Sequence, residues 1–380
     1  MAISGNVDPG AVARTGIELL DDKVVASALV TRESFEQFRG KPGYTFETTV
    51  PGVLPYREYE WNNDRSEPIK TDDYTETVVS AKIEPNRIYS AIDWTDEQEF
   101  EFGGAFGRAV DAQMDAVARG LEDRALAAIA TAPYERVVSI DNTPSAIQAA
   151  ADLGRDVFFN AIVDAKSALS KLRAPRTNLV ALASDEFADE LEKNHKLTLN
   201  QGRGDTALAQ SSIGAFAGVQ FVRSNVVPAG QAILFDKTAF VLFTGAPRIP
   251  RSVPFGASVA HKGFGLSWLM DYSSGYLEDR SVFQAWVGSN HTLEHARQYA
   301  PHIDSDDRYF VRGVKLGLAD SVTERKPGDG SGSTPGSAAD SVLAKVWNNT
   351  VPGITAGEGT YWPDHLRHPA SATDPVDPTP

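Results

Sequence analysis

The residues best suited to chemistry are His291, Glu294 and His295, in the run His291-Thr292-Leu293-Glu294-His295. Two histidines four apart share one face of a helix. The pattern HxxEH then offers two imidazoles to zinc, with a glutamate beside them to take a proton from bound water. The candidate metal ligands are therefore His291 and His295 with Glu294 as base, and the activity they would serve is zinc-dependent hydrolysis. A further acidic ligand has to come from elsewhere in the chain. His365 and His368 form a second, weaker pair beside Pro363 and Pro369. Gly202-Arg203-Gly204-Asp205 contains the RGD triplet and reads as a loop. No phosphate-binding GxxxxGK[ST], no GxGxxG after a strand and no GxSxG is present. The chain has no cysteine, which excludes thiol catalysis, disulfides and Cys-ligated zinc. No cofactor is expected.

The 380 residues are 42% hydrophobic, enough for a sizeable core in one large or two modest domains. A formal charge of −15 argues against a nucleic-acid reader, which would carry a basic stripe. No run of apolar residues approaches a membrane span, and MAISGNVDPG lacks the apolar core of a secretory signal. The expectation is a protein folded inside a cell, without membrane contact.

The element around which the chain is arranged is Gly103 to Ala132. Phe106, Val110, Met114, Val117, Leu121, Ala125 and Ile129 recur at three- and four-residue steps, which predicts one long amphipathic helix. Thr95 and Gln98 form a capping-box pattern upstream, so the helix is expected to span about 96–132. Ala11 to Phe38 reads as a weakly amphipathic helix. Tyr44 to Val50 and Tyr74 to Ile83 read as strands bracketing a polar excursion, and 44–83 holds eight acids against four bases. A two-stranded excursion with so little core needs something outside it, such as a neighbouring copy, to hold it. Asn86 to Asp93 is a further strand. Arg155 to Leu172 is a helix, Asn178 to Ala183 a buried strand, and Ser184 caps a helix over SDEFADELEKN. This alternation implies an α/β unit over 136–250. Phe264, Leu266, Trp268 and Met270 share a strand face, partnered by Asp279 to Gly288. Lys326 to Ala338 reads as a flexible linker by composition.

Ile213 to Pro228, IGAFAGVQFVRSNVVP, resembles the major capsid proteins of tailed bacteriophages, which share the Hong Kong 97-type fold. In that family a glycine-spaced turn like Gly214 and Gly218 precedes a strand and a Ser-Asn pair, here Ser224-Asn225. The later order of Trp268 to Tyr272, Asp279-Arg280 and Gly288 also resembles the family's, and the likeness runs over about 11–288.

The resemblance implies an α+β chain: an N-terminal arm (1–43), an extended β-hairpin loop (44–83), and a peripheral domain with its long spine helix (84–135 and 251–290). An inserted axial α/β domain (136–250) and a C-terminal extension (291–380) complete it. It implies a non-enzymatic major capsid subunit of the virion, self-assembling as hexamers and pentamers into an icosahedral shell around double-stranded DNA. Assembly would occur in the host cytoplasm on a separate scaffolding protein, with maturation by expansion. Portal and decoration proteins are the other implied partners, and the genome is enclosed without sequence-specific contact. An acidic surface suits such a container, since it does not adhere to packed polyanion. Tyr56, Tyr59, Trp61, Arg65, Lys70 and Asp72 of the excursion, with Arg203 and Asp205, are the expected contacts between subunits. Within the same fold, an encapsulin-like nanocompartment shell is the alternative; the alternative of a different class is the zinc hydrolase.

Overall fold

The computed structural model describes residues 8–38, 45–50, 77–83, 86–95, 106–153, 156–175, 178–193, 212–225, 227–253, 255–273, 275, 278–296, 307–330 and 335–348. In chain order, helix α1 (Pro9–Lys23) precedes strands β1 (Thr31–Phe38), β2 (Thr45–Val50), β3 (Thr77–Lys82) and β4 (Ile88–Thr95). Helix α2 (Phe106–Thr131) follows, then β5 (Val137–Ile140), α3 (Pro144–Asp152), α4 (Val157–Lys171), β6 (Leu179–Ala183) and α5 (Asp185–Lys193). The remaining strands are β7 (Ser212–Phe216), β8 (Val219–Arg223), β9 (Gln231–Asp236), β10 (Phe240–Pro247), β11 (Phe255–His261), β12 (Phe264–Ser273) and β13 (Glu278–His291). Two short strands, β14 (Glu294–His295) and β15 (Arg308–Tyr309), lead to β16 (Gly313–Leu318) and helix α6 (Val342–Trp347).

The first sheet has the order β1-β10-β13-β12-β11, with β4 also on β13. Strand β13 is the organiser. Its residues Trp286–His291 pair with β10, while Glu278–Gln284 lie between β12 and β4. One face of this sheet is covered by α1 and α2. The stripe Val110, Met114, Val117, Leu121, Ala125 and Ile129 is buried there, against Phe264, Leu266, Trp268 and Phe283. Burying each of the larger side chains contributes about 1.5–3 kcal/mol, so packing rather than helix propensity holds α2 in place. A buried polar chain sets its register. Gln113 donates to the carbonyls of Ser281 (2.9 Å) and Ser90 (3.2 Å), and its own oxygen accepts from the Ser281 hydroxyl. That hydroxyl accepts from the Trp268 indole at 2.9 Å.

The second sheet has the order β5-β16-β9-β6-β8-β7. On one face Phe158, Ile162, Ala165 and Leu169 of α4 and Phe187 and Leu191 of α5 close a separate core. Ser184 caps α5 as expected, its hydroxyl accepting from Phe187 N at 3.3 Å. The β7–β8 turn uses Ala217 at φ 50° and Gly218 at φ 77°, two left-handed residues that match the twist of a tight hairpin. Lys166 holds that turn by donating to the Ala217 carbonyl at 2.6 Å.

Four sequence expectations are corrected. Helix α1 ends at Lys23, and Thr31–Phe38 is a strand parallel to β10, a pairing made with residues two hundred positions away that local pattern cannot reveal. Strand β10 belongs to the first sheet, not to the unit drawn over 136–250. The chain beyond His291 is not wholly an extension, because β16 lies inside the second sheet between β5 and β9. Among the described residues of the glycine-rich stretch, Gly336 and Ser337 are buried and Gly330 N donates to Ser337 O at 2.7 Å, so this segment is packed and not a free linker. Helix α6 is likewise docked: Leu343 is fully buried with Tyr309 and Val311, and Lys171 and Arg136 lie over the Trp347 ring. Among the described residues no helix is long and apolar enough to cross a membrane.

Candidate functional site

The HxxEH residues fall where the chain passes between the two sheets. Crossings occur from α2 to β5, from β9 to β10, and from β13 through β14 and β15 to β16. Phe310 sits at their meeting point. Its ring is 5.3 Å from Tyr134, 5.4 Å from Phe240 and 5.6 Å from His291. Around it lies a buried polar network. The Arg312 guanidinium is paired with the Glu294 carboxylate, and both side chains are almost fully buried. Arg312 also donates to the Thr238 hydroxyl at 2.6 Å, and that hydroxyl donates to Asp236 at 2.7 Å. Thr292 donates to the Thr238 carbonyl at 2.8 Å through its hydroxyl and to the Ala239 carbonyl at 2.8 Å through its amide.

This arrangement overturns the zinc hydrolase. His291 ends β13 and Glu294 and His295 form β14, so the helical face that would bring the imidazoles together does not exist. Glu294 is committed to Arg312. Burial holds His291 below the ordinary imidazole range, with the ring edge-on to Phe310. Among the described residues no three His, Asp or Glu side chains converge as a metal site. The neighbouring phenols are also structural. Burial pushes Tyr134 well above its usual range, and its hydroxyl donates to the Ile129 carbonyl at 2.6 Å, closing the end of α2. Burial, with Asp307 beside it, pushes Tyr309 up to about 12. The cluster is a joint between sheets.

Arg312 and Phe310 escape the sequence reading because the stretch after His291 reads as an extension; Asp236 lies before it, inside the unit drawn over 136–250. The signal was Tyr309-Phe310-Val311 before Arg312, an apolar run that a solvated tail has no reason to carry.

The other surface of interest is the base of the excursion. Strands β2 and β3 form a two-stranded sheet in the register Thr45 to Lys82 through Val50 to Thr77. Val79 is buried against Val241 and Phe243, on the face of β10 opposite the helices. Asn290 donates to the Ser80 carbonyl. At Gly288 an added Cβ would lie 2.9 Å from the Lys82 carbonyl oxygen, so the glycine is what lets β3 lie down on β13. The expected contact residues Tyr56, Tyr59, Trp61, Arg65, Lys70, Asp72, Arg203 and Asp205, with His365 and His368, lie outside the described residues.

A long helix laid on a sheet, a second helix-covered α/β sheet joined to it by three crossings, and a hairpin lying on the first sheet define a structural subunit of the Hong Kong 97-type fold. The capsid of Ralstonia phage GP4 is similar, with a TM-score of 0.50 at 11% identity over 78% of this chain and 89% of that one. The capsid of cyanophage P-SCSP1u gives a TM-score of 0.48 at 13% identity over 77% and 86% of the two chains. No curated protein matches the chain. The family model described as phage capsid protein matches residues 82–283, more than half of the 380. The chain belongs to the phage capsid protein family. It is a major capsid subunit of the virion, structural and not enzymatic.

Proposed function

We propose that copies of this subunit close into an icosahedral shell around phage double-stranded DNA. It assembles in the host cytoplasm on a separate scaffolding protein and matures by expansion. The first sheet with α2 acts as the peripheral domain and the second sheet as the axial domain. The excursion overlies a neighbouring subunit. A portal protein and a decoration protein are further partners. The observation that carries this reading is the excursion's base: among the described residues β2 and β3 stand on β10 and β13 through buried Val79 and the Asn290–Ser80 hydrogen bond, a small anchor for a two-stranded hairpin in water. Neighbouring copies supply what it lacks. The test is expression with the scaffold and inspection of particles by electron microscopy. Closed shells are expected from the parent, and deletion of residues 55–73 should leave folded subunits that assemble poorly. A parent that stays monomeric at high concentration with scaffold present refutes the reading, and normal shells from the deletion variant refute the role of the excursion.

A further inference from the structure

Helix α3 has no buried residue, although Ala146, Ile147, Ala149, Ala150 and Ala151 make it largely apolar. It is firmly started: Pro144 follows the Thr143 cap, and Asp141 accepts from the Thr143 amide at 3.0 Å and hydroxyl at 2.7 Å. A nine-residue helix without tertiary burial is marginal in water. The exposure continues onto α4. Ile147 is 42% exposed, Leu153 72%, Phe159 40% and Val163 39%. Large apolar side chains exposed on two helices that follow one another in the chain mark an interaction surface. Its charges are mainly acidic: residues 137–165 contain Asp141, Asp152, Asp156 and Asp164 against Arg155, while Lys166 and Lys171 of α4 are engaged with the Ala217 carbonyl and the Trp347 ring.

The opposite chemistry stands on the other sheet. Residues 237–270 contain no acid, in a chain with 51 of them, and carry Lys237, Arg248, Arg251 and Lys262. Arg248 and Arg251 are exposed on the turn between β10 and β11, beside Phe255, which is 55% exposed. The turn is firm: Ser258 Oγ donates to Pro247 O at 2.9 Å, and Val253 N donates to Pro250 O at 3.2 Å. Basic and apolar here, acidic and apolar there, the two surfaces complement each other. In one subunit they belong to different sheets.

We propose that α3 and α4 dock a second copy of this chain, which meets them with its Arg248–Arg251 turn and Phe255. The inference rests on the capsid reading, which places identical copies side by side. Such a contact is head-to-tail, the kind that closes subunits into rings. It also supplies attraction between copies that each carry a charge of −15.

The cysteine-free chain allows a direct test. One population carries Leu153→Cys, another Arg251→Cys, and the two are mixed, assembled and oxidised. A disulfide-linked dimer is expected from the mixture and from neither population alone. Separately, Ile147→Asp with Leu153→Asp should raise the concentration needed for assembly by about tenfold or more, the factor implied by losing one large buried apolar side chain. Both side chains are exposed in the lone subunit, so its circular dichroism and melting should not change. If the parent fails to assemble, the shell reading itself falls. If the parent assembles but the mixture gives no cross-link, or Leu153→Cys cross-links to itself, or the double variant assembles like the parent, the docking proposal is overturned.

Discussion

Glu122 offers the sharpest test of how α1 is tied to the spine helix. Its carboxylate accepts from the amides of Val25 at 3.0 Å, Ala26 at 2.7 Å and Ser27 at 3.0 Å, and from the Ser27 hydroxyl at 2.5 Å. One side chain of α2 thus satisfies the turn that redirects the chain from α1 into β1. Ala26 and Ser27 are fully buried, so water cannot replace the carboxylate without opening the structure. A hydrogen bond to a charged group contributes about 1.5–3 kcal/mol, and an orphaned buried donor costs about 1–3 kcal/mol. The donors share one acceptor, so these terms overlap, and Glu122→Ala should destabilise the subunit by about 3–5 kcal/mol. Glu122→Gln keeps one oxygen to accept and loses the charge, and should cost about half as much. At about 1.3 °C per kcal/mol for a chain of this size, the melting temperature falls by about 4–6 °C for alanine and about 2–3 °C for glutamine. The assay is thermal unfolding of the unassembled subunit, with amide exchange followed at residues 25–27. A drop below about 1 °C for alanine, or equal drops for both variants, would refute the reasoning.

Three further outcomes are expected. Glu294→Gln or Arg312→Met alone should cost about 3–5 kcal/mol by stranding a buried charge, while Glu294→Leu with Arg312→Met together should recover most of it in urea denaturation. Gly288→Ala should drive a Cβ into the Lys82 carbonyl, lift β3 from β13 at a cost of about 1–3 kcal/mol, and appear as faster exchange and proteolysis within 45–82. Stability should also fall in acid, in two stages. Burial depresses His291 from 6.5, so the unfolded chain takes up that proton first, and stability declines as pH drops from about 6.5 through the folded value. Burial alone would raise Asp21, but Arg32 and Lys262 outweigh it and hold the carboxyl below its usual range. That contribution is complete above the unfolded value near 3.8 and is lost as pH falls through the folded one. His291→Gln should flatten the first stage and Asp21→Asn the second, in urea midpoints read against pH.

Elements whose residues are neighbours in the chain were determined by the sequence alone. The apolar stripe from Val110 to Ile129 repeats with the helical period, and the structure buries those side chains. The alternation from Phe264 to Met270 is likewise a property of one strand, and the cap at Ser184 needs only the next three residues. Where a residue's partner is distant, the sequence was silent or misleading. Thr31–Phe38 has no strong strand pattern and becomes one because β10 offers it an edge. Strand β16 follows a stretch without clear period and is recruited between β5 and β9, which moves the tail into the body of the protein. HxxEH is chemically eloquent on a helix, but Arg312 takes its glutamate and the strands part its histidines. Periodicity is local and survives in the sequence. Strand pairing and buried charge are set by what the fold brings alongside, and only the tertiary structure holds that.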